Sequence, residues 1–348
     1  MRRAGGIAAV ALLVGVAVGD AESAGAPPAE VDAGAPLEEI VVTGEFPGPG
    51  MWKITRPGDA AGHTLLIAAD PWALPKRMRW KSRDIETAAR GSQEILRDVA
   101  VAMEADEKIG VLRGLTLVPA LRAARRNPDE EKLEAVLPPP LYRRWLAQKA
   151  LYLGGARGVE SWRPIFAADK LRRAAYDELQ LRESGVLWET IEELAKLHKI
   201  KVTAPRLRFT FKRDEVREKI KAFSRESLAD MECFSSTLDL TEALARRDVE
   251  NARARAWAIA DLDALAALPP LPNPFLSCAM AVMNSQVARE VIPADIVAQS
   301  EQLWLDAVAA ALAANQTTFA IVPMPKLLRE GGYLARLRAA GYEIETPK

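Results

Sequence analysis

Thr318-Phe319-Ala320-Ile321-Val322, the Gly331-Gly332 turn, a helical pattern around Tyr333 to Ala340 and the run Tyr342 to Glu345 close this 348-residue chain. The first and last of these runs read as strands, with a helix behind the glycine pair. Near the other end, Met51 to Thr55 and His63 to Ala68 are short β-type runs around the Gly58-Asp59 turn, which suits a hairpin. Strands at both ends with helical patterns between them predict a helix-rich α/β single domain, its central sheet formed by strands from both ends of the chain.

Ser82 is a candidate N-cap for a helix through about Glu94, and Val99 to Met103 reads as a buried strand. Helical patterns then run to Ile200, interrupted at Pro119, at Pro138-Pro139-Pro140 and at Gly154-Gly155. Lys201 to Ala204 is a short strand. Long Ala/Arg/Glu/Leu helices follow to about Leu268, then a proline-rich break from Pro269 to Pro274 and two more helices to Ala314.

The N-terminus reads as an export signal. Arg2 and Arg3 precede an uncharged apolar run from Ile7 to Val18, too short for the roughly 20 residues that span a bilayer but right for a signal core. Small residues at Gly19 and Ala21, or at Ala21 and Ser23, offer cleavage sites, so residues 1–23 are expected to be removed and the mature chain to act in the periplasm. No later stretch suits a membrane span. Residues 24–47 form a linker too poor in apolar surface to order itself. Within it, Glu38 to Gly44 (Glu-Glu-Ile-Val-Val-Thr-Gly) is β-prone and resembles the segment near the start of TonB-dependent receptors that pairs with a partner's edge strand.

Acids and bases balance at 47 each, so no global field recruits nucleic acid. Arg206 to Arg213 interleaves bases with Leu207, Phe209 and Phe211; alternation of this kind suits a half-buried strand with its charges in water. Cys233 and Cys278 leave a disulfide or two buried thiols open, and export favours the bridge.

Several chemistries lack their motifs. There is no G-x-S-x-G elbow, no phosphate loop, no H-E-x-x-H and no paired C-x-x-C, and the chain holds only 2 histidines. His198 falls with Leu187, Ile191 and Leu194 on one helical face, where a structural role suffices. His63 could act beside a nucleophile, but no partner is nominated.

Three segments give the chain its family likeness. Pro49-Gly50-Met51-Trp52-Lys53-Ile54 leads through Leu65-Leu66-Ile67 to Leu74-Pro75-Lys76 and Trp80-Lys81-Ser82. Trp257-Ala258 is followed by Asp261-Leu262-Asp263-Ala264-Leu265, and the closing strand, helix and strand are those quoted above. In order and spacing, residues 48–348 resemble the TraB/GumN family. The resemblance implies a metal-dependent protease site resting on two G-x-x-H motifs, one after each of two strands. Here the first reads Ala69-Asp70-Pro71-Trp72 and the second Pro323-Met324-Pro325-Lys326, so both histidines and both glycines are replaced. A family Arg-Asn pair appears as Met283-Asn284, and Glu104 matches an acid following the next strand.

The expectation is a degenerate family member that holds no metal or cofactor. If the family cleft persists, Asp70, Trp72, Glu104, Asn284 and Lys326 line it and take an envelope peptide or protein. Two alternatives stay open: a hydrolase with Asp70 or Glu104 as base and Lys326 as electrostatic stabiliser, or a residual metalloprotease. A third reading makes the chain an accessory of TonB-linked uptake acting through residues 38–44.

Overall fold

The structure, a computed structural model, describes residues 45–107 and 111–347. The expected export signal at residues 1–23 and the TonB-like segment at 38–44 lie outside the described residues.

The two ends of the chain share one sheet. Met51–Thr55 (β1) and Thr64–Asp70 (β2) pair as the expected antiparallel hairpin. Asp59 fixes its turn, accepting from the Ala61 and His63 amides at 3.0 Å each. The strands that follow are Leu74–Pro75 (β3), Glu94–Arg97 (β4), Ala100–Ala105 (β5), Leu181–Arg182 (β6), Lys201–Thr203 (β7), Arg206–Phe211 (β8), Thr317–Pro323 (β9) and Glu343–Glu345 (β10). The main sheet has the order β10-β1-β2-β9-β4-β7. β9 runs parallel to β2, in register from Thr64↔Thr317 to Asp70↔Pro323, and parallel to β4 on its other side.

β9 is covered on both faces, as an uninterrupted apolar strand should be. One face sets Leu65, Ile67, Ala320 and Val322 against Trp304 and Val308 of the Ile296–Ala314 helix and Leu334 and Leu337 of the Tyr333–Ala339 helix. The other sets Ala68, Ile95, Phe319 and Ile321 against the Arg83–Arg90, Val186–Leu197 and Arg247–Ala258 helices. A separate helical layer, from Pro139–Tyr152, Pro164–Glu178 and Met231–Leu244, packs around Trp145 and Phe234. No helix among the described residues is long and apolar enough to cross a membrane.

The bridge between Cys233 and Cys278 is formed, joining Met231–Leu244 to Pro274–Met283 across 45 residues. β8 alternates as expected, with Leu207, Phe209 and Phe211 turned inward.

Four local expectations are corrected. The first helix ends at Arg90 rather than near Glu94, because the Ser92 hydroxyl and amide turn back onto Ala88 and Ala89 and free Glu94 to Arg97 for the sheet. The next strand covers Ala100–Ala105, with Val101 45% exposed: it has left the main sheet to pair in parallel with β8 alone. Pro119 does not interrupt its helix; Val111–Ala124 runs through it, held by Leu117 and Ala124 packing on Val216, Ile220 and Phe223. His198 is exposed, because it is the residue after the last helical turn rather than part of the apolar face.

In the chain-entropy model, closing a loop of this length stabilises the fold by about 4 kcal/mol at most. Cys233→Ala/Cys278→Ala should lose about 2–4 kcal/mol in urea unfolding under oxidising conditions. An unchanged midpoint would show that the bridge carries no stability.

Candidate functional site

Ligands of open parallel sheets sit beyond the carboxyl ends of the strands, where successive connections diverge. Here that place is the carboxyl edge between β9 and β4. After β9 the chain returns to β10 on one side of the sheet, and after β4 it continues towards β7 on the other. Asp70, Arg97 and Pro323 mark the same edge on β2, β4 and β9.

Lys326, in the Met324–Leu328 turn of helix after β9, crosses this edge. Its Nζ donates to Asp98 Oδ2 at 2.6 Å, and Tyr333 Oη donates to Asp98 Oδ1 at 2.9 Å. One carboxylate, just past the end of β4, thus takes a cation and a hydroxyl from the segment that follows β9. Burial, and then the charge of Asp98, raise the Tyr333 phenol well above its ordinary pKa, so it stays a donor. Tyr333 is fixed from behind by Trp304, stacked at 4.0 Å with 16° between planes. Gly332 is required for the turn to close: a Cβ there would stand 2.5 Å from the Lys326 carbonyl oxygen.

Asp70 is 8% exposed and faces the other layer. Its Oδ2 accepts from the Gly185 amide at 2.6 Å and its Oδ1 from the Leu187 amide at 3.1 Å. It therefore caps the Val186–Leu197 helix from across the chain, satisfying donors that the helix start leaves open. Burial raises its pKa against the lowering effect of those two amides. Trp72 follows the buried Pro71 and is half-buried. The neighbouring Ala69 carbonyl is held by Trp257 Nε1 at 3.0 Å.

The structure brings Asp70 and Lys326 to one sheet edge, with Trp72 two residues past the end of β2. Glu104 and Asn284 lie elsewhere. Glu104 is in the β5–β8 ribbon opposite Thr210, and its side chain makes no hydrogen bond or ion pair among the described residues. Asn284 is exposed at the end of the Pro274–Met283 helix. Their neighbours Met103 and Met283 meet in a small apolar cluster with Ile292 and Ile296. His63 sits before β2, at the opposite end of that strand from Asp70, its Nδ1 2.9 Å from Asp59.

The sequence reading missed Asp98 and Arg97. The signal was the Gly91-Ser92 pair, which ends a helix and would have put a strand at 94–97 with an acid directly after it.

The fold defines an α/β domain of alternating layers, with Asp70, Arg97 and Pro323 at one edge of its parallel strands. Residues 51–346 match the TraB/PrgY/gumN family, and the chain belongs to it. No curated protein and no solved structure matches the chain.

The family's metal does not fit the residues present. Trp72 and Lys326 stand at the histidine positions, the Lys326 ammonium is held by Asp98, and both oxygens of Asp70 are engaged by backbone amides. Among the described residues no group of three or more His, Cys, Asp or Glu is placed to hold a metal ion.

The raised pKa of Asp70 has a testable sign. Its folded carboxyl holds a proton more tightly than the unfolded chain does, so its contribution is full below the ordinary value of 3.8 and is lost as pH rises through the folded pKa. Urea unfolding of wild type and Asp70→Asn should show the wild type losing stability relative to the variant as pH rises above 3.8. A difference that grows with pH would mean that the amides outweigh burial.

Proposed function

We propose that this chain is an exported, non-catalytic member of its family, a pseudoenzyme that binds a peptide or protein of the cell envelope at the carboxyl edge of its parallel strands. The observation that carries the reading is the Lys326–Asp98–Tyr333 arrangement. Where a metal-dependent site would need a neutral donor, a lysine is engaged in an ion pair across the edge. The export pattern of residues 1–23 supports a periplasmic setting, and the Cys233–Cys278 bridge is compatible with an oxidising one.

A hydrolase with Asp70 as base is the second reading. The raised proton affinity of Asp70 is the observation in its favour, since buried acids in clefts are candidates for acid–base work. Against it, both oxygens are occupied by amides, and Glu104, the other candidate base, lies in the separate ribbon.

Two measurements test the proposal. Elemental analysis of protein purified without chelators should find no stoichiometric zinc or manganese, and casein should remain uncleaved. A photo-crosslinking residue at Trp72 should capture a peptide or protein from the envelope fraction, whereas one at Ala61, before the opposite end of β2, should not. Stoichiometric metal with cleavage abolished by Lys326→Ala, or equal capture at both positions, would overturn the proposal.

A further inference from the structure

Arg97 is a half-buried guanidinium at the strand edge that makes no hydrogen bond or ion pair among the described residues. Its Cζ lies 4.2 Å from the centre of the Trp188 ring. Several other arginines have internal partners. Arg163 donates to the carbonyls of Arg126, Phe223 and Ser224, and Arg172 and Arg144 each meet two carboxylates. Arg125 also stacks on a tryptophan, Trp162, but in the helical layer rather than at a strand end.

The stack is built rather than incidental. Arg97 shares the face of β4 that carries Ile95, which packs with Leu187 and Trp188. Trp188 directly follows Leu187, whose amide Asp70 holds. Asp70 is thereby a positioning residue: by fixing the start of the Val186–Leu197 helix it sets the ring on which the guanidinium lies. A flat guanidinium held against an aromatic face keeps its edge donors in a fixed fork, the arrangement that receives a carboxylate through two parallel bonds.

Glu192, Arg206, Asp70 and Asp98 all act on Arg97. Lys326 answers Asp98, and the amides of Gly185 and Leu187 hold Asp70 without cancelling its charge. Counted with Arg97 and Lys326 these charges balance, so the ligand class is set by the unpaired donors of Arg97, beside which the exposed Arg206 at the start of β8 adds a second guanidinium.

We infer that Arg97, stacked on Trp188 and assisted by Arg206, is a carboxylate-recognition site at the carboxyl edge between β4 and β9, taking an acidic side chain or the free C-terminus of a bound peptide. The inference rests on the binding reading above and names the chemistry that the edge selects.

Fluorescence anisotropy of a labelled tetraglutamate peptide with a free C-terminus tests it, with amidated tetraglutamine as the neutral control. The acidic peptide should bind and the neutral one should not. Arg97→Gln should weaken binding by about tenfold or more, the range of a hydrogen bond to a charged group. Arg97→Lys should recover little, because an ammonium keeps the charge but lacks the fork. Arg206→Gln, at an exposed position that threatens no folding, should weaken binding severalfold. Glutarate should compete better than inorganic phosphate at equal concentration. Equal affinity of wild type, Arg97→Gln and Arg206→Gln, stronger competition by phosphate, or no binding to the wild type would overturn the site. If the site fails while Trp72 still captures a partner, only the carboxylate preference falls; if both fail, the binding reading falls with it.

Discussion

The carboxylate of Asp98 ties together the carboxyl ends of the parallel strands β4 and β9. It accepts from the ammonium of Lys326 and the hydroxyl of Tyr333, two groups from the segment that leaves β9, while itself standing at the end of β4. The two strands are thereby joined through one acid. Trp304 behind Tyr333 and the missing side chain at Gly332 give that junction the space and rigidity it needs. A partly buried ion pair that also receives a hydroxyl is worth more than an exposed one, because its remaining lone pairs are satisfied and water screens it less.

This arrangement lies at the positions where the family resemblance implies metal ligands. The parallel pair β2–β9 still delivers the two motif positions to one edge, through the register that ends at Asp70↔Pro323. The side chains placed there are engaged within the fold. Asp70 caps a helix, and Lys326 pairs with Asp98. Arg97, one strand over, makes no hydrogen bond or ion pair through its guanidinium among the described residues, and its Cζ lies 4.2 Å from the centre of the Trp188 ring. The proposed carboxylate site thus lies beside the positions at which the family resemblance implies a metal.

The parts legible in the sequence are those carried by short-range pattern. The β1–β2 hairpin, β9 and β10 announce themselves as apolar runs bounded by glycine turns, and β8 by alternation. The site was less legible because its contacts are long-range: Asp70 reaches amides 115 and 117 residues away, and Lys326 reaches an acid 228 residues back. Nothing local in Ala69-Asp70-Pro71-Trp72 says that its acid will cap a distant helix. The misreading of Gly91-Ser92 as helix interior had a larger consequence. The strand that ends beside Asp98 is Glu94–Arg97, whereas Glu104 belongs to a ribbon beyond the sheet. His198 erred the other way, since helical periodicity places a residue on a face but does not say where the helix stops.

The most direct measurement of the central claim is anomalous diffraction at the zinc and manganese edges from crystals grown with both metals. The account predicts no peak within bonding distance of Trp72, Lys326 or Asp98, with Lys326 Nζ still on the Asp98 carboxylate. A metal peak at the β4–β9 edge, with Lys326 turned away from Asp98, would contradict it.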